Sequence, residues 1–145
     1  ADASGPALAD LIRAENWSVA EQAILPDDES AIRAKLMEGA DSGRFDVILT
    51  TGGTGFALRD VTPEATRAVI QRDAPGLAET MRAESLKKTP HAMLSRAVAG
   101  IREQTLIVNL PGSPKGAIEN LQTIAPVLSH AVQLLKDDPA SESSH

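Results

Sequence analysis

The chain has no cysteine and no tyrosine, and only two phenylalanines and one tryptophan among its 145 residues. Without cysteine there is no thiol nucleophile, thiolate metal site or disulfide framework, which suits a reducing compartment, so the expected location is cytoplasmic. With so few rings there is little for nucleobases to stack on. A net charge of −6 opposes the phosphate neutralisation that nucleic-acid binding requires, so no nucleic-acid partner is expected. No segment reaches the roughly 18 apolar residues of a spanning helix, and no basic stretch precedes an apolar run at the N-terminus. Neither a membrane anchor nor a signal peptide is visible. A chain of this length can withdraw about two thirds of its unfolded surface from water, so one core suffices without disulfides or metals.

What is present is a succession of short apolar runs, each closed by glycine or proline. Ser4-Gly5-Pro6, followed by Leu8, Leu11 and Ile12 at helical spacing, predicts a helix over about 5–15. Trp17 to Leu25 reads as a strand stopped by Pro26-Asp27-Asp28, and Ile32 with Leu36 marks a second helix closing at Gly39. Phe45 to Thr51 is the expected central strand and Gly52 to Asp60 a loop. Thr62-Pro63-Glu64 then supplies an N-cap, a first-turn proline and a first-turn acid. Asp73-Ala74-Pro75-Gly76 ends that helix, and Leu77 to Lys88 forms another, with Leu77, Met81 and Leu86 inward. Ala97–Ile101 and Thr105–Leu110 should pair across Arg102-Glu103-Gln104, and 115–136 is helical with Pro126 splitting or kinking it. This pattern predicts one α/β domain over 1–136, a doubly wound, mostly parallel sheet with helices on both faces. A polar tail over 137–145 lacks the apolar side chains to order itself.

Two strand ends carry the chemistry. Thr50-Thr51-Gly52-Gly53-Thr54-Gly55 places three glycines and several hydroxyls where a buried strand stops, a place where backbone amides can approach a ligand closely. It lacks the Gly-Lys-Ser/Thr ending of a P-loop and the spacing of a dinucleotide fingerprint. It is read either as a tight turn or, the favoured reading, as ligand contact. Pro111-Gly112-Ser113-Pro114 opens a helix, so Ser113 either caps it or shares its donors with a phosphate. Lys115 in the first helical turn is electrostatically unfavourable unless an anion is near, which favours phosphate. Asp27 and Asp60 each follow a strand and could together hold a magnesium ion, or each could be only a helix-start acid. His91 has no partner acid or serine pattern, and no nucleophilic triad is evident.

Thr50–Gly55, then Arg59-Asp60-Val61-Thr62-Pro63-Glu64-Ala65, then Asn109-Leu110-Pro111-Gly112-Ser113-Pro114 closely resemble the MogA/MoaB molybdenum-cofactor biosynthesis family, which includes the gephyrin and plant Cnx G domains. Ser4-Gly5-Pro6 and Leu25-Pro26-Asp27 add weaker support, and the resemblance extends to about Lys136. It implies a molybdopterin-binding, usually trimeric fold that transfers AMP from ATP to the terminal phosphate of molybdopterin and releases pyrophosphate. Asp27 and Asp60 match the family's acids for catalysis and Mg2+. Thr51, Gly52, Gly53, Thr54, Gly55 and Arg59 would contact nucleotide or molybdopterin, with Pro111, Gly112, Ser113 and Lys115 on the second loop. A non-catalytic molybdopterin-binding or scaffold role is the alternative, and a pyrophosphate hydrolase is less favoured. A molybdate-insertion enzyme is the implied downstream partner. Family members begin with an apolar strand and a Ser-Asp loop that are not seen before Ser4 here, so the resemblance implies that further residues precede Ala1.

Overall fold

The computed structural model describes residues 4–137; the expected tail lies, from residue 138 on, outside the described residues. The chain runs α1 (Ser4–Ala14), α2 (Glu29–Asp41), β1 (Val47–Thr51), α3 (Thr62–Val69), β2 (Arg72–Asp73), α4 (Pro75–Leu86), a 3-10 turn (Pro90–Leu94), β3 (Ala99–Arg102), β4 (Thr105–Leu110) and α5 (Pro114–Leu135). The four strands lie in the order β1-β4-β3-β2.

β4 decides the layering. All six of its residues are buried, as a strand covered on both faces requires. Alternate side chains point to opposite faces, so Leu106, Val108 and Leu110 pack with Leu8 of α1, Met81 of α4 and Leu121, Ile124 and Leu128 of α5. Ile107, between them, meets Ile32 and Leu36 of α2 and Ala65 and Val69 of α3. Helices therefore cover both faces, as the α/β reading requires.

Three expectations are corrected. The sheet is mixed rather than mostly parallel: β1 pairs with β4 in parallel, whereas β3 with β4 and β2 with β3 are antiparallel. The two-residue turn Glu103-Gln104 joins β3 directly to β4, and so short a link permits only an antiparallel pair. Trp17–Leu25 forms no strand. Its backbone pairs with none of the four strands, and Ile24 remains 80% exposed; imperfect alternation does not make a strand without a neighbour to bond. Pro126 does not split the last helix, which continues from Pro114 to Leu135 with Pro126 on its exposed side.

One buried polar side chain ties the layers together behind the loops. Asn109 is 0% exposed in β4. Its Nδ2 donates to Thr50 Oγ1 at 3.0 Å and Thr66 Oγ1 at 2.9 Å, and its Oδ1 accepts from the Val98 amide at 3.0 Å. Every capacity of this amide that matters in a dry interior is met, so β1, α3 and the approach to β3 are held in one register.

Candidate active site

Because β1 and β4 are parallel neighbours, the loops that follow them leave the same edge of the sheet side by side. The Gly52 amide donates to the Leu110 carbonyl at 3.0 Å, extending the ladder past both strand ends. Here Gly52 and Gly112 come so close that a Cβ on Gly112 would lie 3.2 Å from the Gly52 Cα. Ser4, at the start of α1, donates through its hydroxyl to the Gly112 carbonyl at 2.7 Å. The first helix, the Thr51–Gly55 loop and the Pro111–Lys115 loop thus meet at one place.

The glycines in the first loop serve the protein's own packing. Gly52 and Gly53 have φ of 84° and 68°, a left-handed region that side chains rarely adopt. A Cβ on Gly53 would run into Thr62 Oγ1, and the Thr62 amide donates to the Gly53 carbonyl at 3.2 Å. Thr62 is therefore the first helical residue, buried under the loop, and not the N-cap expected from the sequence; Val61 occupies that position without a side-chain cap bond. The crowding that makes Gly53 necessary comes from α3.

Asp60 folds back on its own loop. Its Oδ2 accepts from the Ala57 amide at 3.0 Å while its amide donates to the Ala57 carbonyl at 2.9 Å. Oδ1 makes no hydrogen bond within the described residues. Asp27 is exposed in the irregular segment before α2 and has no hydrogen bond or ion pair there; its neighbour Asp28 caps α2, accepting from the Ala31 amide at 3.2 Å. Among the described residues no group of three or more His, Cys, Asp and Glu could hold a metal.

On the second loop Ser113 takes the capping alternative, its Oγ accepting from the Gly116 amide at 3.1 Å. Arg59 and Lys115 are exposed, and neither makes an ion pair within the described residues. Beside both loops lies a cavity of about 280 Å³, lined in part by Thr54, Gly55 and Pro111, with Met81, Arg82 and Asn120 beyond them. His91 lines it too.

Sequence reasoning missed Arg96. Its backbone amide donates to the Thr54 carbonyl at 2.8 Å, Nε to the Gly55 carbonyl at 2.8 Å and one Nη to the Asp60 carbonyl at 2.6 Å. The other Nη donates to Glu64 Oε2 at 2.5 Å. No spacing singles out an arginine three residues before a short strand, so nothing in the sequence pointed to it. Asn109 did carry a signal, a lone amide inside Leu106-Ile107-Val108-Asn109-Leu110.

The Arg96 hydrogen bond holds the Glu64 carboxyl below its usual value; partial burial opposes this, and the Glu64 backbone and the charges of Arg96 and Arg67 add to it. A carboxyl lowered in the folded state stabilises the fold above its unfolded pKa, and that contribution is lost as pH falls through the lowered value. Wild type should therefore resist urea better than Glu64→Gln at neutral pH, with the gap closing below about pH 4. Urea melts of both proteins across that range check this, and a gap independent of pH contradicts it.

An open α/β sheet with two glycine loops meeting beyond the carboxyl ends of adjacent parallel strands defines a ligand-binding domain of the topological switch-point class. Residues 1–130 match the family described as the probable molybdopterin binding domain, and the chain belongs to it. It is 48% identical over 139 residues to the molybdenum cofactor synthesis protein cinnamon of Drosophila melanogaster, covering 94% of this chain and 23% of that protein. Against the molybdopterin adenylyltransferase of Helicobacter pylori (strain J99) it is 47% identical over 112 residues, 77% of this chain and 64% of that protein. The chain thus spans less than two thirds of the length of these relatives. A crystal structure of the molybdopterin biosynthesis enzyme MoaB from Thermus thermophilus superposes with a TM-score of 0.89 at 49% identity, covering 96% of this chain and 87% of that one.

Proposed function

We propose that this chain is a molybdopterin adenylyltransferase of molybdenum cofactor biosynthesis. The observation that carries the reading is the Gly52–Gly112 approach, which sets two glycine loops, the α5 N-terminus and the unpaired cations Arg59 and Lys115 around one edge of the sheet. Relatives named molybdopterin adenylyltransferase support it.

In this reaction a terminal phosphate oxygen of molybdopterin attacks the α-phosphorus of ATP. The new P–O bond forms as the bond to the bridging α,β-oxygen breaks, and pyrophosphate leaves with the electron pair. The nucleophile is already an anion, so no general base is required. What the chain supplies is placement and charge neutralisation. Thr51, Gly52, Gly53, Thr54 and Gly55 would hold phosphate from one side and Pro111, Gly112 and Ser113 the pterin-bearing substrate from the other. Arg59 and Lys115 would offset negative charge, and the neighbouring cavity has room for part of a ligand.

Asp60, with its free Oδ1, and exposed Asp27 are oxygen donors of the kind Mg2+ prefers. Two carboxylates fit an ion shared with substrate phosphates better than a resident protein cage. Such an ion would supply charge neutralisation at the phosphates. A second reading is a molybdopterin-binding or scaffold member of the same fold without turnover. Products separate these readings after incubation with magnesium-ATP and molybdopterin. Transfer gives pyrophosphate and adenylylated molybdopterin, hydrolysis gives free AMP, and binding alone gives neither.

A cytoplasmic location and delivery of the product to a molybdate-insertion enzyme complete the proposal. Among the described residues no helix is long and apolar enough to cross a membrane. A homotrimer is also proposed: Phe56 (66% exposed), Leu58 (101%), Met93 (66%) and Val127 (50%) leave apolar surface that subunit contact would cover. Sedimentation at micromolar concentration should give about three times the 15.2 kDa chain mass; a single-chain mass contradicts it.

A further inference from the structure

We propose that Arg96 is the positioning residue of this site: it closes the Thr54–Asp60 loop and thereby fixes where the Asp60 carboxylate stands. The proposal rests on the adenylyltransferase reading for its catalytic consequence and on geometry for the clamp itself. Arg96 lies outside the loop, yet it bonds carbonyls at both ends, Thr54 and Gly55 at the start and Asp60 at the finish. The remaining nitrogen is anchored on Glu64 in the first turn of α3, so the loop is tied to a helix packed on the core. Within this outer clamp sits the smaller turn in which Asp60 and Ala57 bond each other. Without the outer clamp, that exposed turn has only its own two bonds to keep Oδ1 in place.

The fork of a guanidinium can donate along Nε and both Nη at once, whereas a lysine ammonium is a single point on a flexible stem. It cannot reach the Gly55 carbonyl, the Asp60 carbonyl and Glu64 together. Arg96→Lys keeps the charge and most of the stem, so it tests the fork while sparing the fold.

The test joins two measurements on wild type, Arg96→Lys and Arg96→Met. In the first, amide hydrogen exchange of the free protein is followed by NMR. The expected result is exchange at Ala57 and Asp60 faster by about tenfold in both variants, with the β4 amides unchanged. In the second, steady-state transfer to molybdopterin should show kcat lower by about 10- to 100-fold and KM for molybdopterin within about twofold, the pattern of a misplaced group rather than lost binding. Unchanged loop exchange overturns the clamp whatever the kinetics. Faster loop exchange with unchanged kcat overturns the catalytic consequence. A wild type that transfers no AMP refutes the adenylyltransferase reading instead, and the exchange result alone then decides whether Arg96 holds the loop.

Discussion

Replacing Asp60 by asparagine should lower AMP transfer by about a hundredfold or more while leaving the melting temperature within about 2 °C of wild type. The amide keeps the shape of the carboxylate, and its oxygen can still accept the Ala57 amide that Asp60 Oδ2 now accepts. The turn and its clamp therefore persist. What disappears is the negative charge and the donor strength of the free oxygen, which the proposed Mg2+ at the phosphates would use. Turnover is read by pyrophosphate release and folding by circular dichroism. Near-normal turnover with an unchanged melt would remove Asp60 from the mechanism. Asp27→Asn provides the companion measurement. Should only one of the two substitutions alter magnesium dependence, the carboxylates do not serve a common ion.

The second large effect is expected at Gly53, and it is an effect on folding before it is one on binding. Valine there must adopt a positive φ, at a cost of about 1–2 kcal/mol. Its Cβ also collides with Thr62 Oγ1 beneath the loop, and relieving such an overlap in a packed region costs roughly 1–3 kcal/mol more. Gly53→Val should thus lose about 2–5 kcal/mol, a fall in melting temperature of roughly 5–15 °C for a domain of this size. Adding Thr62→Ala to Gly53→Val removes the oxygen in the way and should recover part of the loss. No recovery would show that the conformational strain alone makes glycine necessary. An unchanged melt with lost affinity would mean that the bare Cα faces ligand and not α3.

The contrast between Gly53 and Arg96 shows which parts of the site could be read in sequence. Glycine clusters at strand ends announce themselves, because a backbone that needs positive φ or close approach leaves few residue choices. The loops after β1 and β4 were visible for that reason; their adjacency was not, because it depends on the strand order that sets β4 beside β1. The reason for each glycine was not visible, since a collision with Thr62 or with Gly112 exists only after the loop is folded. Arg96 was invisible because its partners are backbone carbonyls, which every residue possesses. The same physics explains the misread Trp17–Leu25 segment and the mixed sheet. Strand character is a property of a pair, and a single sequence displays one partner at a time. Ser113 stood between two local readings, helix cap or phosphate contact, and in the folded chain its Oγ caps α5 by accepting from the Gly116 amide.

Following the α-phosphorus distinguishes the proposed transfer of AMP onto molybdopterin from hydrolysis and from binding alone. Wild-type protein with magnesium, molybdopterin and ATP labelled at the α-phosphate should place the label on the pterin, through a new bond to its terminal phosphate, with one pyrophosphate released for each label transferred. Label remaining in ATP, or recovered as free AMP, would contradict transfer.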